Sequence, residues 1–251
     1  MGRYLLSKLK KTAALLKNEQ FKEYVPQTFK MSKATLFEAL HTHHMVYIKP
    51  DSGMHGIGVI RVEWKNGEIW PYSYQTGLRI YKFSNFPSLY ESLRERIKSK
   101  SYLVQRGIHL LKYRDRPFDI RVMVQRNKKS HWETTGMIGR VAAPGKIVTN
   151  YHSGGMLVSV EKLLSSHLSN ETTNRYVRQL GELGRRAALQ LARMYPGLRE
   201  IGLDIALDNK YHPWILEVNT SPDPYIFRSL KNKKIYEKVI RYHRLNSVSK
   251  K

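Results

Sequence analysis

The sequence contains no cysteine, which excludes a disulfide framework, a cysteine nucleophile and a thiolate metal site. It also lacks any apolar run near the roughly 18–20 residues that a membrane-spanning helix needs. Lys8, Lys10 and Lys11 interrupt the apolar residues near the N-terminus, so the apolar core of a signal peptide is missing as well. These absences predict a soluble, cytoplasmic protein without a transmembrane segment.

Acidic residues are few. The 251 residues include 20 Asp and Glu against 44 Lys and Arg, which gives a formal net charge of +24. Hydrophobic residues make up 41% and aromatic residues 11%, a composition that is typical of a folded protein rather than a basic disordered tail. At roughly 100–200 residues per domain, the length fits one large domain or two smaller ones. The excess positive charge indicates an anionic substrate or partner.

Hydrophobic periodicity, turn residues and helix caps predict an alternating order of helices and strands. The predicted helices cover residues 4–24, 86–97 and 171–195, with a further helix after the N-cap candidate Ser32 that carries Leu36, Phe37 and Leu40, and a basic helix at the C-terminus. In the first helix, an apolar stripe is predicted and the lysines lie elsewhere; the stripe consists of Leu5, Leu9, Ala13 and Leu16. The predicted strands cover residues 45–50, 58–64, 68–74, 78–83, 102–105, 118–125, 132–141, 201–207 and 214–219. Asn66-Gly67 predicts a type I′ hairpin turn between the second and third strands. The order favours an α+β protein of two lobes that divide near residue 101, with residues 1–101 in the first lobe and residues 102–251 in the second.

A lysine and a glycine-rich loop follow the first predicted strand. Lys49 ends the strand, and the loop contains Gly53, Gly56 and Gly58. Glycines let backbone N–H groups approach phosphate oxygens, and a lysine supplies a positive charge beside them. The P-loop order of residues is absent, and an ordinary glycine loop between strands is the alternative interpretation.

Carboxylates cluster on the last predicted hairpin. Glu217 and Asn219 share one face of a strand because side chains alternate, and the hairpin partner can bring Asp204 beside them. Two carboxylates and an amide oxygen suit Mg²⁺, or Mn²⁺ as the alternative ion. The other interpretation places Glu217 and Asn219 on the solvent side of an alternating strand.

Asp119 and Arg121 lie on one face of another predicted strand. An arginine at such a position can bind phosphate oxygens with two parallel hydrogen bonds. Spacing alone favours the alternative, a cross-strand salt bridge.

In their order along the chain, these segments resemble the ATP-grasp superfamily, and within it the YheC/YheD-type proteins of endospore-forming bacteria. The RimK-type glutamate ligases are more distantly similar. The resemblance covers nearly the whole chain and rests on Ser7-Lys8, residues 24–28, 46–50, 103–108 and 119–121, Asn150 with Gly154-Gly155, Asp204, and residues 217–219.

The resemblance implies an ATP-grasp fold in which two lobes with mainly antiparallel sheets enclose ATP. Contacts with ATP are then implied for Lys49, on the adenine side or at the α-phosphate, and for Lys8 of the first helix, with Lys11 as a competing assignment. The loop with Gly53, Gly56 and Gly58 would close over the phosphates.

The remaining implied roles concern adenine, ribose, the reacting phosphate and the metal. The segment with Gln105, Arg106 and Ile108 would hold adenine through backbone groups, and Asp119 would meet the ribose. Arg121 and Arg140 would face the γ-phosphate or the acyl phosphate. The magnesium ligands implied are Asp204, Glu217 and Asn219.

The implied reaction is ATP- and Mg²⁺-dependent ligation, in which a carboxylate becomes an acyl phosphate that an amine or similar nucleophile attacks. A kinase that phosphorylates a hydroxyl is an alternative with the same fold. The chain begins at the first helix with little room for the α/β domain that usually precedes ATP-grasp lobes. The carboxylate is therefore not identified, and no oligomeric state is predicted.

A basic protein that binds nucleic acid or another polyanion is the alternative from a different class. Residues 1–33 contain 8 Lys and Arg against 2 Asp and Glu, and residues 221–251 contain 9 against 2. No helix-turn-helix, RRM or zinc-finger pattern accompanies this charge. The sequence therefore favours the ligase, acting on an acidic acceptor, over a nucleic-acid-binding protein, and spore association follows from the resemblance alone.

Overall fold

The computed structural model describes residues 7–53, 56–98, 100–151 and 154–248. Six helices and twelve strands are assigned in these ranges. The helices are α1 (Lys8–Leu16), α2 (Lys33–His43), α3 (Phe86–Ile97), α4 (Val160–Leu164), α5 (Asn170–Met194) and α6 (Lys233–Val248). The strands are β1 (Thr28–Lys30), β2 (Met45–Pro50), β3 (Ile60–Trp64), β4 (Tyr72–Thr76), β5 (Arg79–Phe83), β6 (Tyr102–Arg106), β7 (Lys112–Tyr113), β8 (Arg116–Arg126), β9 (Trp132–Val141), β10 (Met156–Val158), β11 (Glu200–Leu207) and β12 (Pro213–Asn219).

The first sheet is antiparallel and has the order β1-β6-β2-β3-β4-β5. Helices α2 and α3 bury one of its faces through Leu36, Leu40, Leu89 and Leu93. Both helices begin at a capping side chain, Ser32 for α2 and Asn85 for α3, which satisfies backbone N–H groups of the first turn. The opposite face of the sheet is left for polar side chains.

The second sheet is also antiparallel, with the order β10-β9-β8-β11-β12, and β7 pairs with β8. The 25-residue helix α5 covers one face through an apolar stripe. At Gly184 an added Cβ would lie 2.9 Å from Val122 Cγ1, so glycine permits the close contact between helix and sheet. On the other face, Met123 and Ile138 pack against Phe227 and Val239 from the C-terminal segment.

The first helix is shorter than predicted and buries a different face. The prediction covered residues 4–24, whereas α1 ends at Leu16 and a 3₁₀ turn, Glu19–Phe21, follows it. Residues 4–6 lie outside the described residues. Ala13, predicted on the apolar stripe, is exposed, while Lys8 and Lys11 are buried. The buried side of α1 thus combines Lys8 and Lys11 with Ala14 and Leu15, while Lys10 is exposed.

The hairpin around Asn66-Gly67 exists, but its turn was predicted wrongly. Strands β3 and β4 pair from Trp64 and Tyr72 onward, so residues 65–71 form a longer loop. Gly67 has φ +85°, and Asn66 is not among the non-glycine residues with positive φ, whereas a type I′ turn requires both. The rings of Trp64 and Tyr72 both lie near His41 of α2, so the end of the hairpin is packed against a helix that is distant in sequence.

Other predicted helices and strands are confirmed within a few residues at each end. The sequence did not predict β1, β7, β10 or α4, which have two to five residues and are too short to show a hydrophobic period.

The division into two lobes near residue 101 stays a prediction. Strand β6, on the C-terminal side of that position, belongs to the first sheet, while Ala14 and Leu15 of α1 join the core of the second. Among the described residues, no helix is long and apolar enough to cross a membrane.

Candidate functional site

A cleft of about 270 Å³ lies where the polar faces of the two sheets meet. Every predicted site residue except Gly58 lines it. The lining residues from the prediction are Lys8, Lys49, Gly53, Gly56, Gln105, Arg106, Ile108, Asp119, Arg121, Arg140, Asp204, Glu217 and Asn219. Residues from both ends of the sequence thus meet in one cavity.

A row of charged side chains crosses the second sheet and forms one wall of the cleft. Strand pairing places Arg140 opposite Asp119, and Arg121 opposite Asp204. Glu217 pairs with Asp204 on the other side. Because side chains alternate along a strand, the residues between these charged positions on β8 point to the opposite face and pack in the core under α5.

Arg140 and Asp119 form a buried ion pair. Arg140 Nε donates to Asp119 Oδ1 at 2.8 Å and Arg140 Nη2 donates to Asp119 Oδ2 at 2.6 Å. Thr149 Oγ1 donates to Asp119 Oδ2 at 2.7 Å. Burial opposes the charge on Arg140, but Asp119 and Asp204 outweigh it and raise the pKa of this arginine. Asp119 lines the cleft, where the predicted ribose would have to compete with these bonds.

Asp204 lies at the centre of the charged row. Arg121 donates to both of its carboxylate oxygens, and Arg140 Nη2 lies 2.9 Å from Asp204 Oδ2. The cross-strand salt bridge that spacing favoured for Arg121 is therefore present, with Asp204 as its partner. Burial alone would raise the pKa of Asp204, but the charges of Arg121 and Arg140 outweigh it and lower the pKa. The carboxylate is consequently ionised at neutral pH.

Lys49 connects the two sheets. Its Nζ donates to Gln105 Oε1 at 2.9 Å and to the carbonyl oxygen of Leu216 at 3.0 Å. The register of β11 and β12 shifts between Asp204 and Ile205, which leaves Leu216 as the extra residue of a β-bulge. Burial lowers the pKa of Lys49 to about 8, although the charge of Glu217 opposes the shift. A titratable ammonium group therefore lies at the floor of the cleft.

Helix α1 contributes two more buried lysines. Lys8 Nζ donates to the carbonyl oxygen of Gly53 at 2.9 Å and lies 3.6 Å from Glu217 Oε1. Lys11, one turn further on, is buried but does not line the cleft. Burial lowers the pKa of Lys11, and the charge of Glu217 opposes that effect. Lys8, rather than Lys11, is the lysine of α1 that a ligand in the cleft can reach.

The glycine-rich loop borders the cleft from the first sheet. Gly53, Gly56 and Gly58 have φ angles of +136°, +69° and +79°, which favour glycine. At Gly56 an added Cβ would lie 3.4 Å from Val148 Cγ1 of the second half of the chain. Gly58 faces Tyr102 and Pro50 instead of the cleft. Residues 54 and 55 of this loop lie outside the described residues.

The segment predicted to hold adenine runs along the end of β6. Gln105 is buried and its Nε2 donates to Thr28 Oγ1 at 3.0 Å. The exposed guanidinium of Arg106 lies over the ring of Trp214 at 4.9 Å. The backbone N–H of Gly107 donates to the Met45 carbonyl at 2.9 Å.

Several residues of the cleft were missed by the sequence analysis. The carbonyl of Leu216 could not be found because its role depends on a β-bulge, and Thr149 binds Asp119 across 30 residues of sequence. Tyr47 pairs with Gln105 and lines the cleft, and it could have been found from the alternation that leads to Lys49. Ser221 and Asp223 line the cleft mouth.

The sequence matches the family described as YheC/D like ATP-grasp over residues 1–245, and the chain therefore belongs to this family. Endospore coat-associated protein YheC of Bacillus subtilis (strain 168) is 23% identical over 227 residues, which cover 88% of this chain and 61% of that protein. Endospore coat-associated protein YheD of the same strain is 22% identical over 194 residues, or 76% of this chain and 42% of that protein. The chain thus spans less than two thirds of either relative.

Solved structures show the same fold. D-cycloserine synthetase DcsG superposes with a TM-score of 0.58 and 12% identity, covering 97% of this chain and 71% of that chain. N5-carboxyaminoimidazole synthetase from Staphylococcus aureus, complexed with ADP, gives a TM-score of 0.53 and 7% identity, covering 95% of this chain and 50% of that chain. The ATP-grasp ligase PsnB gives 0.51 and 16% identity, covering 94% of this chain and 60% of that chain. The ATP-grasp fold and its α+β class are thereby confirmed.

Proposed function

We propose that this member of the YheC/D-like ATP-grasp family is an ADP-forming ligase. It would bind Mg²⁺ and ATP in the cleft and activate a carboxylate as an acyl phosphate for attack by an amine or similar nucleophile. The observation that carries the proposal is the single cleft in which Lys8, Lys49 and Arg121 meet two carboxylates from paired strands. Three structural neighbours are two synthetases and an ATP-grasp ligase.

The cations of the cleft are held in place before any ligand binds. Arg121 and Arg140 are fixed by carboxylates of neighbouring strands, and Lys49 is fixed by Gln105 and the Leu216 carbonyl. Charges that are already oriented stabilise a developing phosphoryl charge without reorganisation. Phosphoryl transfer needs positioning and electrostatic stabilisation more than a protein nucleophile, which agrees with a chain that has no cysteine.

The donor set fits a hard divalent cation. Asp204, Glu217 and Asn219 carry carboxylate and amide oxygens on two paired strands, with Asp204 opposite Glu217 and Gly202 opposite Asn219. At Asp204 a metal ion would have to compete with Arg121 and Arg140, which already bind both carboxylate oxygens. Mg²⁺ takes oxygen ligands and completes its shell with water or substrate phosphate. No group of three or more His, Asp or Glu side chains placed to hold a metal ion occurs among the described residues. Two carboxylates and one amide oxygen leave positions of an octahedral shell for water and phosphate oxygens. Bound Mg²⁺ would supply charge neutralisation at the phosphoryl group.

Each residue then has a role that this chain can perform by itself. Lys49, with a pKa of about 8, is mostly protonated at neutral pH and would hold a phosphate oxygen. Lys8 would hold a second one near the Gly53 carbonyl. Arg121 and Arg140 would face the group that is transferred, while Asp119 orients Arg140. The segment 105–108 would border adenine.

A thermal-shift or calorimetric titration with ATP and Mg²⁺ tests the nucleotide site. Lys49→Met and Glu217→Gln should remove most of the shift, whereas the matched variants Lys10→Met and Glu237→Gln, at exposed positions, should keep it. ATP at 100 times its Kd should raise the free energy of unfolding of the wild type by about 2.7 kcal/mol. If all four variants respond to nucleotide like the wild type, the site assignment is wrong.

The reaction class is tested by measuring ADP release with panels of carboxylates and amines. ADP together with a new amide bond supports the ligase, and ADP with a phosphorylated hydroxyl would identify a kinase instead. Binding of DNA or RNA that weakens with salt, without ADP release, would favour the polyanion-binding alternative. Association with the endospore is proposed from the names of the two relatives.

A further inference from the structure

A second group of arginines lies at the end of the second sheet that is remote from the cleft. Arg126 ends β8 and Arg199 directly precedes β11, and the backbone N–H of Arg126 donates to the Arg199 carbonyl at 2.9 Å. Arg126 follows Arg121 by five residues, which is roughly 17 Å along an extended strand. The ligase site does not use this end of the sheet.

The N–H groups of this cluster lack acceptors. Arg126 Nε, Arg199 Nε and Trp132 Nε1 are buried and have no hydrogen-bond partner in the described part of the chain. The guanidinium of Arg126 lies over the Trp132 ring at 4.9 Å, and its Nη1 reaches the Ser130 carbonyl at 3.3 Å. Trp132 is only 5% exposed. Buried donors without acceptors are rare in folded proteins and are costly to leave unpaired.

The neighbouring carboxylates are already occupied. Glu200 binds Gln125 and His243 on the α6 side of the sheet. Glu133 accepts hydrogen bonds from Asn127 and Tyr242. Among the described residues, neither Arg126 nor Arg199 has a carboxylate within 4.0 Å. Burial and then the charge of Arg199 lower the pKa of Arg126, as two adjacent cations without a counterion require.

The turn beside Arg126 adds further positive charge. Lys128 and Lys129 are exposed in the turn whose Ser130 carbonyl binds Arg126. The turn is held by Asn127, whose Oδ1 accepts from the Lys129 N–H at 2.8 Å. Two partly buried guanidinium groups and two exposed lysines therefore concentrate positive charge at this end of the sheet.

We propose that Arg126 and Arg199 form a second anion site, separate from the cleft, that binds a phosphate-class oxyanion. Guanidinium groups bind phosphate through parallel hydrogen bonds, and an oxyanion here would neutralise two cations that have no carboxylate. Lys128 and Lys129 would extend the site when the phosphate belongs to a polymer. The site would use part of the net charge of +24 that the nucleotide cleft leaves unexplained.

The test is calorimetric titration with inorganic phosphate, pyrophosphate and long-chain polyphosphate at low ionic strength. Lys49→Met serves as the background, so that binding in the cleft is weakened in every sample. We expect Arg126→Gln and Arg199→Gln each to raise the Kd at least about tenfold. The matched variant Arg94→Gln, at an exposed position on α3, should leave the Kd unchanged.

Two comparisons define the source of the phosphate. If polyphosphate binds more tightly than inorganic phosphate, and the double variant Lys128→Gln/Lys129→Gln loses this difference, the ligand is a phosphate polymer. If all three probes bind with equal affinity, the ligand is a free phosphate. Urea unfolding of each variant shows whether the fold is intact, and Arg199→Lys should restore part of the binding. The proposal is overturned if intact Arg126→Gln and Arg199→Gln proteins bind every probe like the Lys49→Met background.

Discussion

The buried ammonium group of Lys49 predicts how the stability of the free protein changes with pH. Burial lowers the pKa of Lys49 from 10.5 to about 8, with the charge of Glu217 opposing the shift. At about 1.4 kcal/mol per pH unit, the gap between these two values corresponds to roughly 3 kcal/mol. Because Lys49 is enclosed by both sheets, solvent screens this penalty little.

The sign follows from proton counting. Between about pH 8 and pH 10.5, the unfolded chain keeps the proton on Lys49 while the folded chain has lost it. The free energy of unfolding therefore rises with pH in this interval. Lys49→Met has no such proton, so the stability of the wild type relative to this variant should rise by roughly 3 kcal/mol. The variant also loses the hydrogen bonds of Lys49, which adds a nearly constant amount to this difference in the free energy of unfolding at every pH.

Urea denaturation at 25 °C over a series of pH values measures this difference. Subtracting the stability of the variant from that of the wild type cancels contributions from ionisable groups that the substitution leaves unchanged. The stability difference between wild type and Lys10→Met, which removes an exposed lysine of α1, should stay level. A difference for Lys49→Met that is also level between about pH 8 and pH 10.5 would refute the conclusion that burial sets this pKa.

Three further predictions concern the site and its supports. Asp119→Asn removes a buried partner of Arg140 and should cost about 3 kcal/mol in urea unfolding; a loss below about 1 kcal/mol would contradict the ion pair. Gly107→Ala should destabilise by about 1–3 kcal/mol, since its Cβ would lie 2.7 Å from the Met45 carbonyl oxygen, whereas Gly197→Ala meets no atom within 4 Å and should be nearly neutral. Chelation of Mg²⁺ should abolish the nucleotide-induced rise in Tm of the wild type and have no effect on Glu217→Gln.

Much of the charged wall of the cleft could be predicted from sequence because it depends on strand alternation. The alternation of side chains along a strand put Asp119 on the same face as Arg121, and Glu217 on the same face as Asn219. All four residues line the cleft. Such a pattern is local, so four or five residues suffice to show it. The starts of α2 and α3 could be predicted for the same reason, because the capping residues Ser32 and Asn85 are local signals.

The face of α1 and the loop of the first hairpin could not be predicted in this way. Helical periodicity placed Lys8 and Lys11 outside the apolar stripe of the first helix, and only the family resemblance put either of them near ATP. They are buried because α1 covers a polar cleft in which Glu217 provides a counter-charge. The strands of the first hairpin end at Trp64 and Tyr72, and the rings of both residues lie near His41 of α2, a tertiary contact that the Asn66-Gly67 dipeptide does not encode.

The sequence by itself determined which chemical groups are present: a large excess of cations, no thiol, a glycine-rich loop after Lys49, and carboxylates on the last two strands. Only the tertiary structure decided what each group contacts. The bulged carbonyl of Leu216 beneath Lys49, the carboxylates that hold Arg140, and the absence of any such partner for Arg199 among the described residues all depend on residues distant in sequence. Burial and charge pairing act through space, and a linear pattern does not encode the distances that govern them.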